Sequence, residues 1–260
     1  MYTADLPDPI RPNSLTIQYA DDVTQLGRGT HLDYLTNALQ AELTATSLWE
    51  LKWRITSHPD KTTVTYYNKK RTEPPRRIFL YPFLPNPTPI PQNDKNKVLG
   101  VTFDKNRCFA KHITEKVAIA NNTLSNLARF RGNSTRTKTH LYKALVRPTL
   151  TYCPLAVSLI AKTNHLRLQV VQNKALRLAL NTHWTEFKTA QSIHEELNIP
   201  PLNIVIHHRV IKQLEKFRLT HTEMYDFINN LPSYYRRLQT VNLLDPDNHE
   251  PPDPVYTKDR

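Results

Sequence analysis

Glycine, cysteine, acidic side chains and long apolar runs are all in short supply in this sequence, and each shortage narrows the possibilities. Four glycines stand against 20 prolines in 260 residues. Much of the proline falls in two clusters, so the stretches between them are less broken than the total suggests. Two cysteines, Cys108 and Cys153, cannot make a zinc knuckle or a disulfide framework, and a reducing compartment is the simple inference. No stretch approaches the roughly 18 apolar residues of a membrane helix, and residues 1–9 lack the basic-then-apolar order of a signal peptide. The expectation is an intracellular protein, of nucleus or cytoplasm, with no membrane partner. With 23 Asp and Glu against 35 Lys and Arg, the net charge of +12 points to an anionic partner. A merely soluble basic surface is the plainer alternative.

The position of the charge says more than its sum. Residues 1–60 hold four basic and eight acidic side chains, net −4, which leaves +16 for the remainder. Residues 101–220 hold 19 basic and six acidic side chains, net +13. Arg129, Arg131, Arg136, Lys138 and Lys143 surround one predicted interhelix turn, where each can meet a phosphate of a nucleic-acid duplex. The alternative is a solvated basic face.

The acidic end centres on residues 14–26. Leu15, Ile17 and Tyr19 alternate with Thr16 and Gln18, the period of a half-buried strand, and Val23 and Leu26 can begin the return. Asp21 and Asp22 then sit at a hairpin tip. Adjacent carboxylates repel unless solvent or a cation screens them, so the pair either ligates a hard divalent metal or is an ordinary turn.

The rest of the chain reads in order. Proline breaks residues 1–13 into an extended lead-in without packing of its own. Leu32, Leu35, Leu39, Leu43 and Thr46 predict a helix over 31–51, with Glu42 and Glu50 off its apolar stripe and His31 on the surface. The β-branched and aromatic run from Lys61 to Tyr67 predicts a strand. Residues 68–96 combine Lys69, Lys70, Arg71, Arg76 and Arg77 with seven prolines and read as loop around short β pieces. Residues 97–103 predict a strand with a bulge or close approach at Gly100. From residue 108 the period is helical, with a stripe of Phe109, Ile113, Val117, Ala120, Leu124 and Leu127. Thr135 is the expected cap of a helix over 136–147 that stops near Pro148. An apolar run over 150–160 and helices over 163–180 and 202–219 follow. His183, His194, His207 and His208 lack the companions and spacing of a metal site. Residues 221–260, acidic and proline-rich at the end, are expected to be a largely disordered tail.

Tyr19-Ala20-Asp21-Asp22 between two apolar strands resembles the catalytic hairpin of reverse transcriptases. Three further runs resemble the non-LTR retrotransposon enzymes of the Jockey and LINE type, in order and spacing: Leu48 to Ile55 followed by Pro59 to Thr62, Val98 to Asp104 followed by Lys111 to Ile113, and Leu141 to Lys143 followed by Arg147 to Tyr152. The resemblance covers about residues 14–220 and implies an α+β chain. A partial palm with a proline-rich insertion would occupy 14–106, and an all-helical thumb-like bundle 107–220. It implies RNA-directed DNA synthesis in the intact protein, with two Mg2+ ions held in part by Asp21 and Asp22 and with an RNA template and a DNA primer, or their hybrid duplex, as partners. Lys61 matches the lysine near the incoming nucleotide, and Leu99 and Gly100 match the strand that grips the primer. Val98 stands where the family commonly has an aromatic residue. Thirteen residues before the hairpin leave no room for the family's fingers and earlier palm aspartate, so the chain is expected to be a truncated piece, inactive alone and holding Mg2+ weakly or not at all. A non-catalytic nucleic-acid-binding protein derived from such an element, or an unexpressed relic, are the alternatives.

Overall fold

The chain divides into two units, Met1–Arg107 and Cys108–Arg260; among the described residues the first holds hairpins and one long helix and the second holds helices. The computed structural model describes residues 5–10, 14–67, 77–106, 108–182, 186, 188–220 and 253–256. The basic residues from Lys69 to Arg76, His183 and most of the tail lie outside them.

In the first unit, β1 (Ser14–Tyr19) pairs antiparallel with β2 (Asp22–Gly27), and α1 spans Leu32–Trp53. Strand parity puts Leu15, Ile17 and Tyr19 on one face and Thr16 and Gln18 on the other. The expected direction is reversed, since the apolar residues are exposed and the polar face is the better covered. The reason is the seat of β2 on α1: Gln25 Nε2 donates to Thr46 Oγ1 at 2.7 Å. Gly27 lets β2 end close to the helix, for a Cβ there would stand 2.9 Å from Leu35 Cδ1.

Two other expectations on α1 are corrected. Glu42 and Glu50 are buried rather than off the covered face. Both are paid with hydrogen bonds, as buried carboxylates must be: Glu42 Oε2 accepts from the Ile10 backbone N–H at 3.0 Å, and Glu50 accepts from the Tyr81 hydroxyl at 2.5 Å and from the Ser57 hydroxyl. Burial, and then the Glu50 bond, push the Tyr81 hydroxyl up to about 12. The lead-in is likewise not free of packing, because Asp5 accepts from Trp49 Nε1 at 2.8 Å, Lys52 Nζ at 3.0 Å and Trp53 Nε1 at 3.0 Å. The Trp49 bond, then the Lys52 bond, hold the Asp5 carboxyl at about 2, below its ordinary 3.8. A depressed folded-state pKa gives stability that is present above about pH 4 and lost as pH falls towards 2. Asp5→Asn should therefore lower the melting temperature at pH 6, and the gap between the two proteins should close near pH 2. A gap independent of pH would show that the carboxylate charge contributes nothing.

Lys61 to Tyr67 do not form the expected strand. Pro59–Lys61 are a single 3-10 turn, and Val64 makes one isolated bridge to Gln92. Val64 alone makes ladder bonds among the described residues of this run, its N–H donating to Pro91 O at 3.1 Å and its carbonyl accepting from Asn93 N–H at 2.9 Å, so β propensity yields a bridge and not a strand. β3 (Phe79–Leu80) pairs with β4 (Thr88–Pro89). Tyr66, Ile78, Leu80 and Ile90 form a small core, on which Leu32, Leu39 and Leu43 of α1 pack. β5 (Lys95–Val98) and β6 (Val101–Asp104) replace the expected continuous strand with a hairpin. Leu99 and Gly100 take φ of 47° and 76°, so Gly100 serves a turn and not a bulge.

In the second unit, α2 (Ala110–Leu127) buries the predicted stripe at Phe109, Ile113, Ala120 and Leu127. Ser134, not Thr135, caps α3 (Thr135–Leu141), its hydroxyl accepting from the Thr137 N–H at 3.2 Å. Pro148 does not end the helical path. A π-helical turn over Tyr142–Val146 runs into α4 (Arg147–Leu150), and this widened turn accommodates a proline that lacks an N–H. α5 is Pro154–Ser158, α6 is Lys162–Leu180, α7, unanticipated, is Ala190–Glu196, and α8 is Leu202–Thr220.

Val170 of α6 is exposed, while Gln169, Gln172 and Asn173 are buried beside Leu168, Val171 and Leu176. His194 is the shared partner of Gln169 and Asn173, while Gln172 donates to the Pro200 carbonyl at 3.1 Å. The His194 Nδ1 meets the Ile199 carbonyl at 2.7 Å, and its Nε2 lies 3.1 Å from Gln169 Nε2 and 3.0 Å from Asn173 Oδ1. Burial holds its pKa below the usual histidine range. The described end of the tail is placed too: Asn203 bonds Asp253 O at 2.7 Å, and Tyr256 lies edge-on to His194.

Candidate functional site

The β1–β2 register brings Tyr19 opposite Asp22 and leaves Ala20 and Asp21 as the two-residue connection. Both carboxylates are exposed at the tip, and Asp22 shares a face with exposed Ile17 and Tyr19. Ala20 takes φ of 53°, a conformation that costs a residue with a Cβ about 1–2 kcal/mol. Ala20→Gly is expected to stabilise the first unit by about 0.5–1 kcal/mol, after the greater freedom of glycine in the unfolded chain is subtracted. A denaturant midpoint that fails to rise would show that the turn relaxes without strain.

Two adjacent carboxylates are hard oxygen donors of the kind Mg2+ takes. They supply too few oxygens for an octahedral ion, and among the described residues no three His, Cys, Asp or Glu side chains gather to hold a metal. The pair fits such an ion in chemistry and falls short of it in number. Lys61 is exposed at the end of its 3-10 turn, and Leu99 and Gly100 form the tip of the β5–β6 hairpin.

Of the five basic residues singled out in the second unit, Arg129, Arg131, Arg136 and Lys143 are exposed. Lys138 is 5% exposed and is corrected: its Nζ donates to Asn181 Oδ1 at 2.7 Å and to the Arg131 carbonyl at 3.4 Å. Asn181 takes φ of 53° at the C-terminus of α6, so the lysine ties that helix end to the turn before α3. Burial pushes its pKa below the ordinary lysine range. It lines a small cavity with Leu127, Leu141 and Ala179 and is not part of a phosphate-facing surface. The sequence reading missed Glu42 and Glu50 as buried groups. Their spacing of four from Thr46, a stripe residue, was the available signal.

No family model and no solved structure matches the chain. Curated relatives do. The RNA-directed DNA polymerase from mobile element jockey of Drosophila funebris is 27% identical over 213 residues, 78% of this chain and 22% of that protein. The jockey polymerase of Drosophila melanogaster is 26% identical over 214 residues, 79% of this chain and 22% of that protein. A protein of the Drosophila melanogaster transposon X-element is 27% identical over 210 residues, 76% of this chain and 22% of that protein. The chain spans about a quarter of the length of the curated relatives it matches. Its sequence is similar, over about four-fifths of its residues, to part of the RNA-directed DNA polymerases of jockey-type mobile elements.

Proposed function

We propose that the chain is a reverse-transcriptase piece that presents two metal-binding carboxylates and grips nucleic acid. The observation that carries this reading is the Asp21 and Asp22 pair, exposed at the tip of an antiparallel hairpin, in a chain that is similar over 78% of its length to a jockey polymerase. In this reading the first unit is palm and the second is thumb. Asp21 and Asp22 contribute oxygens to Mg2+ in a polymerase centre completed by other carboxylates, and Lys61 lies near the nucleotide triphosphate, where a cation offsets its charge. The Leu99 and Gly100 tip meets the primer end. Arg129, Arg131, Arg136 and Lys143 meet backbone phosphates of template and primer.

A second reading, nucleic-acid binding without catalysis, is favoured by the lack of a third acidic group beside the pair among the described residues. Neutralising Arg129, Arg131, Arg136 and Lys143 together tests the part common to both. Binding of an RNA–DNA hybrid should weaken severely, and binding that survives unchanged refutes the assignment of that surface.

A further inference from the structure

Two arginines of the helical unit are linked through one threonine, with no carboxylate paired to either among the described residues. Arg147 opens α4 and Arg209 lies on α8, both half-buried. Thr151 joins them, its hydroxyl donating to the Arg147 carbonyl at 2.9 Å and accepting from Arg209 Nη1. Beside them, Tyr142 and Thr151 are each 1% exposed and Gln172 is fully buried. Arg147 Nε, the Tyr142 hydroxyl and Gln172 Oε1 are buried with no hydrogen-bond partner. The Tyr142 hydroxyl faces the Gln172 amide without closing a bond of ordinary geometry. Neither arginine forms an ion pair with a carboxylate among the described residues. Burial, then repulsion from Arg147, lower the Arg209 pKa.

Half-buried like charges with unmet donors are costly, and a bound anion removes both costs together. A guanidinium fork fits the tetrahedral oxygens of phosphate, and a tyrosine hydroxyl adds a third donor. We propose that Arg147, Arg209 and the Tyr142 hydroxyl form a binding site for a phosphate oxyanion on the helical unit. The oxyanion is a nucleic-acid backbone phosphate or a terminal phosphate of a small molecule, and the recognition chemistry is the same. The site is separate from the exposed residues around the turn before α3.

Calorimetric titration of the 260-residue chain with inorganic phosphate, in a low-salt buffer without other oxyanions, tests it. Arg147→Gln and Arg209→Gln should each weaken binding roughly ten-fold or more, the effect of losing a charge-assisted hydrogen bond. Arg209→Lys, which keeps the charge but not the fork, should fall between. Circular dichroism confirms that each variant is folded before titration. No measurable phosphate binding by the parent, or equal affinity in parent and folded variants, overturns the proposal. Displacement of phosphate by a short duplex identifies the backbone as the source, displacement by a mononucleotide alone identifies a terminal phosphate, and both outcomes support the site. The quadruple variant of Arg129, Arg131, Arg136 and Lys143 should keep its phosphate affinity, so failure of the surface assigned above remains distinguishable from failure here.

Discussion

Raising salt from 50 to 200 mM should weaken the chain's binding to a nucleic-acid duplex roughly 150-fold. Four exposed cations, Arg129, Arg131, Arg136 and Lys143, surround the turn before α3. Each phosphate neutralised contributes about 0.9 to the slope of log affinity against log salt, so four give about −3.6, or roughly 150-fold for a four-fold rise in salt. Counting Lys138 would steepen the slope to about −4.5 and the loss to roughly 500-fold. Its ammonium is already committed to Asn181 and Arg131, so the smaller figure is expected. Little dependence on sequence should accompany the slope, because phosphate contacts fix position without reading bases. Filter binding across a salt series measures it. A slope near zero, or one unchanged in the quadruple variant, would remove the phosphate-facing role of this surface.

What could be read ahead of the structure follows from which physical rule was in force. The hairpin was legible because strand period and a two-residue connection leave one register, and Tyr19 does pair with Asp22. Which face it covers was not, since alternation defines two faces without saying where α1 will lie. Gln25 and Thr46, both polar, decide that through one hydrogen bond. The helix from Ala110 to Leu127 was legible for the opposite reason, that its apolar stripe is the face it buries. At Pro148 the rule that proline ends a helix lost to a π turn, whose wider path no local propensity reports. Lys61 to Tyr67 kept their β propensity, but among the described residues only Val64 found a pairing, the single bridge to Gln92.

The candidate site divides in the same way. Residue type and adjacency placed Asp21 and Asp22 at a tip, because local geometry is enough to do so. Charge alone could not separate Lys138 from its exposed neighbours. That distinction depends on Asn181, 43 positions along the chain, whose left-handed conformation turns its side chain to the ammonium. The arginine pair of α4 and α8 was hidden likewise, since Arg147 and Arg209 are joined only through Thr151. Sequence period carries contacts within an element, and these groups are defined by contacts between elements.

Purified residues 1–260 should give no primer extension above that of an Asp21→Ala, Asp22→Ala control, although the carboxylate hairpin is formed. In-line nucleotidyl transfer uses two metal ions about 4 Å apart, clamping the attacking and leaving oxygens together. Holding both takes carboxylates from more than one place in a fold, and here two adjacent aspartates stand at an exposed tip with no third acidic group gathered beside them among the described residues. Mg2+ keeps most of its water unless several oxygens are positioned at once, so the pair alone should bind it weakly and without the geometry of a two-ion centre. Reacting groups held even about 1 Å out of place lose roughly two orders of magnitude in rate, and an incomplete centre loses charge stabilisation as well as position. Extension by the parent and none by the control would show that the chain assembles a working centre after all. The same comparison should be repeated with a longer jockey-type polymerase whose own hairpin aspartates are replaced by alanine. Extension restored by the parent chain but not by the control would show that Asp21 and Asp22 become catalytic once the remaining ligands are supplied from outside.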